Sequence, residues 1–317
     1  MIRVRSTVCV LAPALWLGCA PAKPPDPSYD PARSLLEVVA VLRLHVPDDT
    51  YRFEPARDFT GRNVYRGTLL RLENLERAHA DDLRAGHMQD VIYFSKGRAL
   101  ERLRAYDLAA ASYREVLEFG GQLEMPARQS AALCDALAEA SSLGAISEGE
   151  EAEEGSVFDT DQVLEAYELR VALLEALAEE ASHSHYAFMI QEEIEQADMD
   201  RAERFVDLRD VLPDGDLRAL AELQRVVVRH RESSLANRHL LGLADLYAEL
   251  AEEYVEERPP EGLHFDPPAF EELVDSASHL YQAVANQDGT TEKLEAQRRL
   301  ESFLAFTLQV DRDRFSQ

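Results

Sequence analysis

Cysteine is scarce in this chain: three in 317 residues, at Cys9, Cys19 and Cys134. No disulfide framework can be drawn from so few, so packing alone must stabilise the body. Lysine is as rare, with only Lys23, Lys96 and Lys293, so arginine supplies nearly all the positive charge. Runs of alternating β-branched residues between hairpin turns are missing, which excludes a β architecture. No GxSxG, HExxH, CxxC, P-loop or GxGxxG motif is present, and Asp159-x-Asp161 lacks the glycine and glutamate of a calcium loop. The sequence therefore offers no catalytic site, no cofactor and no metal site, and an enzyme is not the expected reading.

Acidic residues are what the chain has in abundance. They outnumber bases 60 to 33, for a formal net charge of −27. Such a field opposes nucleic acid and anionic surfaces. Acidic pairs such as Glu179-Glu180, Glu252-Glu253 and Glu256-Glu257 read as solvated helix faces rather than general acid–base pairs. His183-x-His185 with Glu192 and Glu193, and the group His79, Asp81, Asp82 and His87, have no recognised ligand spacing. Cys134 lies in an alanine- and leucine-rich run and reads as a small buried hydrophobe.

The N-terminus has the grammar of an export signal. Arg3 and Arg5 precede an apolar stretch over residues 8–17, too short for a mature membrane span. It ends in Leu15-Trp16-Leu17-Gly18-Cys19, which resembles a bacterial lipobox. The resemblance implies that residues 1–18 are removed and that Cys19 carries lipid. Ala20 lacks the aspartate that favours inner-membrane retention in that family, which points to the outer membrane, facing the periplasm. Residues 19–30 contain Pro21, Pro24, Pro25 and Pro27 and form an extended tether.

The body reads as all-α. Pro31 opens a helix with Leu35, Leu36, Val39 and Leu42 on one face. A break over residues 45–61 follows, and the period then predicts helices at about 62–79, 88–104, 106–119 and 126–143. Five acids crowd residues 148–154, so 147–158 is expected to be an acidic loop. It divides a helical region at 31–146 from another at 159–317. Helices beyond it are expected from Thr160 or Asp161, at about 184–208, 215–231, 234–257 and 267–286, and from Thr290 or Thr291 to about Val310.

Within this body, Tyr93-x-x-Lys96-Gly97-x-x-Leu100 followed by Ala109-x-x-x-Tyr113 resembles a tetratricopeptide repeat. Lys96 stands where that family has leucine, and Gly120-Gly121 replaces its closing proline. Leu241-Gly242 with Ala277-x-x-x-Tyr281 is a second partial match, its halves separated by an insertion around Pro259. The resemblance implies a superhelical stack of degenerate helix-turn-helix repeats. In it Gly97 and Ala109, and likewise Gly242 and Ala277, would lie where paired helices cross, beside Tyr93, Tyr113 and Tyr281. The family's usual role implies a groove offered to a protein or peptide partner.

One stretch runs against the acidic background. Residues 51–71 hold Arg52, Arg57, Arg62, Arg66 and Arg71 against Glu54 and Asp58, with Phe53, Phe59 and Tyr65 interleaved. Arg62 and Arg66 share a helix face. These residues are the candidate surface for a partner's carboxylates or for anionic envelope groups, and the alternative is internal pairing with acidic helices. The expectation is thus a lipid-anchored envelope scaffold acting through protein–protein contact. The alternatives are a structural or oligomerising envelope protein and an enzyme whose carboxylates and histidines converge only in the fold.

Overall fold

A computed structural model describes residues 30–48, 62–144, 160–184 and 186–314. The signal segment with Cys19, most of the tether, Arg52, Arg57, the acidic loop at 147–158 and His185 lie outside the described residues. Among the described residues there are eleven α-helices and no strand. They are α1 (Pro31–Asp48), α2 (Val64–Ala85), α3 (Gln89–Arg102), α4 (Tyr106–Leu117), α5 (Glu124–Ser142), α6 (Thr160–Glu180), α7 (Ala187–Asp207), α8 (Gly215–Arg229), α9 (Ala236–Glu257), α10 (Pro267–Ala285) and α11 (Glu292–Arg314).

Local chemistry sets most of the boundaries. Proline at the first helical position wastes no hydrogen bond, and α1 and α10 both start on one, at Pro31 and Pro267. Helix α1 then runs on to Asp48, past the break expected from residue 45. The side chain of Asn63 accepts a hydrogen bond from the Arg66 amide at 2.9 Å and caps α2. Gly120 and Gly121 take positive φ (66° and 104°) after α4, a conformation other residues resist. Helix α5 begins at Glu124 rather than near 126, because Pro126 fits inside a first turn, where its missing N–H is not needed.

Each helix packs against its neighbours in the chain, and α1 with α3 and α9 with α11 also touch. Side-chain pairs give the direction. Gly97 faces Tyr113 while Tyr93 stacks on Phe119, so α3 and α4 are antiparallel. Asp245 meets Tyr281 and Tyr254 meets Asp266, so α9 and α10 are antiparallel too.

The core is a chain of clusters rather than one centre. Leu35, Val38, Leu72, Leu83 and Ile92 close α1–α3. Tyr106, Tyr113, Val116, Leu137, Leu174, Ile190 and Ile194 form a continuous cluster from α4 to α7. Phe205, Leu223, Val226 and Leu246 join α7–α9, and Phe270, Tyr281, Val284 and Phe303 join α9–α11. Each large apolar side chain buried this way contributes roughly 1.5–3 kcal/mol. Among the described residues, no helix is long and apolar enough to cross a membrane.

Candidate functional site

The first repeat match assembles as a crossing. A Cβ built on Gly97 would lie 2.6 Å from the Tyr113 ring, closer than carbon atoms can approach. Glycine is thus required there, and Ala109, on the facing helix, is fully buried. Tyr93 is partly buried and stacks on Phe119 at 5.8 Å. The Tyr93 hydroxyl is pushed up to about 12, first by its hydrogen bond to Glu76. Lys96, which replaces the family's leucine, pairs with that same Glu76.

At the second match the geometry corrects the expectation. Ala277 and Tyr281 are buried between α9 and α10, but a Cβ on Gly242 would meet nothing within 4 Å. Gly242 is therefore no helix-crossing residue. It lies on the wall of an open groove of about 400 Å³ instead. Helix α7 contributes Met199 and Glu203 to this groove. Helix α9 adds Arg238, Leu241, Gly242 and Asp245, and α11 adds Glu292, Glu295 and Arg299. The polar interior is already tied together. Tyr281 donates to Asp245 at 2.6 Å, and Arg299 pairs with both Asp245 and Glu295. Glu203 is held above the usual carboxylate range, first by partial burial, then by Asp200, with Arg238 opposing.

The arginine row is divided by the fold. Arg62, Arg66 and Arg71 are exposed, as a partner surface requires. Tyr65 is not: its side chain is fully buried, with the Arg102 guanidinium 6.0 Å above its ring. Tyr65 continues the apolar stripe of Leu72 and Leu75 and faces inward, so it belongs to the core and not to a contact surface.

The largest polar assembly was not foreseen. Helix α7 carries Glu192, Glu193, Glu195 and Asp198 buried, and cations converge on them from several helices. Arg104 donates to Glu193 at 2.7 Å, and the Tyr106 hydroxyl donates to its other oxygen at 2.6 Å. Arg102 reaches Glu192 at 3.7 Å. Asp198, fully buried, accepts from Arg225 at 2.8 Å, and Arg229 lies 3.1 Å away. His230 Nε2 lies 2.8 Å from the same carboxylate, and His239 Nε2 lies 2.6 Å from Glu195. Burial pushes Asp198 up, but the His230 and Arg225 hydrogen bonds outweigh it and hold the group below the ordinary range. One turn of α3 adds buried Glu101, which accepts from Arg98 and from the Tyr113 hydroxyl, each at 2.7 Å. The Tyr186 hydroxyl lies 2.6 Å from Ser130 and 3.2 Å from Glu101, so α3, α5 and the start of α7 meet there.

Chemically this network is a set of ion pairs and hydrogen bonds between neighbouring helices. Each of these buried carboxylates faces an arginine or a histidine, which is how such groups survive burial. Glu192 and Glu193 are accordingly tied into helix packing, whereas His183 is exposed. In the His79 group, His79 lies 3.5 Å from Asp82, and Asp81 pairs with Arg84 at 3.5 Å. Among the described residues, no three His, Cys, Asp or Glu side chains converge to hold a metal ion. Cys134 is fully buried, and burial pushes its thiol far above the ordinary range, so it is an inert core residue. No family model matches the chain, and no curated protein matches it in sequence.

Proposed function

We propose that this protein is a lipid-anchored scaffold of the bacterial envelope, built from degenerate tetratricopeptide-like helix pairs, which works by binding a protein partner. The observation that carries the reading is the Gly97–Tyr113 contact. Glycine, alanine and two aromatics at repeat spacing pack as a close crossing, as a repeat of that type needs. Packing of each helix on its neighbours in the chain supports it, because such stacks leave long faces open to partners. The lipobox-like sequence ending in Cys19 supports the anchor, and lipidation there would attach the chain from the periplasmic side of the outer membrane. Arg66 and Arg71, exposed on α2, and Arg62, exposed just before its cap, are suited to a partner's carboxylates.

Crosslinking and pull-down from native envelopes test this. Wild type should capture a stoichiometric partner, Cys19→Ala should leave the membrane fraction, and Arg62→Glu/Arg66→Glu should lose the partner. Absence of any specific partner from wild type under all conditions would refute the scaffold. A second reading, a self-associating structural protein, has one observation in its favour. Leu294, Leu304 and Leu308 leave an exposed apolar arc on α11. A stable homo-oligomer by light scattering, with no heterologous partner, would select it.

A further inference from the structure

Helix α9 carries a glycine that the rest of the chain does not require. Gly242 sits mid-helix, where glycine weakens the helix relative to alanine, and open space surrounds the position of its missing side chain. Gly97, by contrast, is compelled by a ring against it. Around Gly242 the groove is bounded by three helices, with Leu241 and Met199 supplying apolar wall. Its charges are unevenly matched. Arg299 is occupied by Asp245 and Glu295, which leaves Glu203 and Glu292 facing the groove against Arg238 alone. The surplus is negative, on a chain whose net charge is already −27.

We propose that the groove between α7, α9 and α11 docks an extended basic segment of a partner protein, its backbone lying over Gly242 and its cations meeting Glu203 and Glu292. The proposal rests on the scaffold reading and names its partner's chemistry. A bare stretch of helix admits a backbone at close range, which a leucine side chain would prevent. Two carboxylates from different helices, α7 and α11, then meet the cations. The field of the whole chain steers a basic segment in and turns an acidic one away. The raised Glu203 carboxyl fits such a role, since a bound cation would relieve the repulsion from Asp200.

The test uses the full chain in detergent and fluorescence anisotropy. The probes are a fluorescein-labelled nonapeptide of alternating alanine and arginine, and its glutamine and glutamate counterparts. The arginine peptide should bind and the other two should not. Gly242→Leu, which changes no charge, should weaken binding about tenfold or more, and Glu203→Gln about three- to tenfold. Glu179→Gln/Glu180→Gln, exposed on α6, should leave it unchanged. Equal weakening by all the variants would show a diffuse field and overturn the groove, as would preference for the glutamate peptide or no binding at all. Leucine is the better helix former at position 242, so a thermal melt no lower than wild type verifies folding. Glu203→Gln keeps the test decisive if that melt drops. If Gly242→Leu still captures the envelope partner, the groove is refuted and the scaffold stands.

Discussion

The two stretches that share a repeat-like pattern use their glycine in opposite ways. In the first, the Tyr113 ring fills the space over Gly97, and its hydroxyl ends on Glu101, whose side chain has no exposure. In the second, the Tyr281 ring bypasses Gly242 and its hydroxyl ends on Asp245, whose side chain is 41% exposed. Connection length accounts for much of this. Helix α3 has 14 residues and meets α4 across three residues, whereas α9 has 22 and meets α10 across residues 258–266. The long helix and wide connection let α10 engage α9 without covering Gly242. The same residue types at related positions thus give one dry crossing and one open groove.

The largest expected effect separates the two carboxylates. Glu101→Ala leaves the largely buried Arg98 guanidinium without its 2.7 Å partner and the Tyr113 hydroxyl without its acceptor, and should cost about 3–5 kcal/mol in urea denaturation. Asp245→Ala removes a half-exposed partner of Arg299 and Tyr281 and should cost at most about 1–1.5 kcal/mol. Equal losses would mean that the two crossings do not differ in burial.

Next in size is the glycine of the closed crossing. Gly97→Ala puts a methyl group against the Tyr113 ring and should destabilise by about 1–3 kcal/mol. Adding Tyr113→Leu should recover part of that loss, since the clash is with the ring. A stabilised Gly97→Ala, as expected of an alanine in an open helix, would abolish the close approach.

The helical class and nearly every helix were legible from the apolar period, because each helix buries one stripe. The first crossing was legible as well, since Gly97, Ala109 and Tyr113 sit at fixed spacing across a short turn. The error at Gly242 has a physical reason: spacing names a small residue, but only the separation of the helices says whether anything presses on it. Tyr65 was readable in principle. It stands seven residues before Leu72 and ten before Leu75, on the buried stripe and off the row of Arg62 and Arg66. The network on α7 was not. Glu192 and Glu193 look solvated because the cations that neutralise them, Arg102 at the end of α3 and Arg104 in the turn after it, are far away in sequence. At one residue per 100°, Glu192, Glu193, Glu195 and Asp198 fall in the broad sector opposite Ile190 and Ile194, which reads as an ordinary solvated face, and nothing local marks them as buried.

That network adds a pH dependence between the two crossings. The Asp198 carboxylate lies below its unfolded value when folded, because His230 and Arg225 outweigh its burial. Its contribution is therefore complete above the unfolded value, near pH 4, and is lost as pH falls through the folded one. Melting temperature measured from neutral pH downward should fall in acid, and Asp198→Asn should flatten that acid slope while lowering the neutral plateau. An unchanged slope would remove Asp198 from the acid response.

The smallest effect is the sharpest check on the comparison, because it inverts a sign. Gly242→Ala adds a methyl group to open space and removes a flexible residue from the interior of α9. It should stabilise by about 0.5–1 kcal/mol, where the same exchange at Gly97 destabilises. Opposite signs from one substitution at two matched positions cannot come from helix propensity, which acts alike at both. They require that one glycine is pressed by its own chain and the other is left bare. Destabilisation at both positions would mean that something within the chain closes over Gly242, and α9 would then have no open wall to offer a partner.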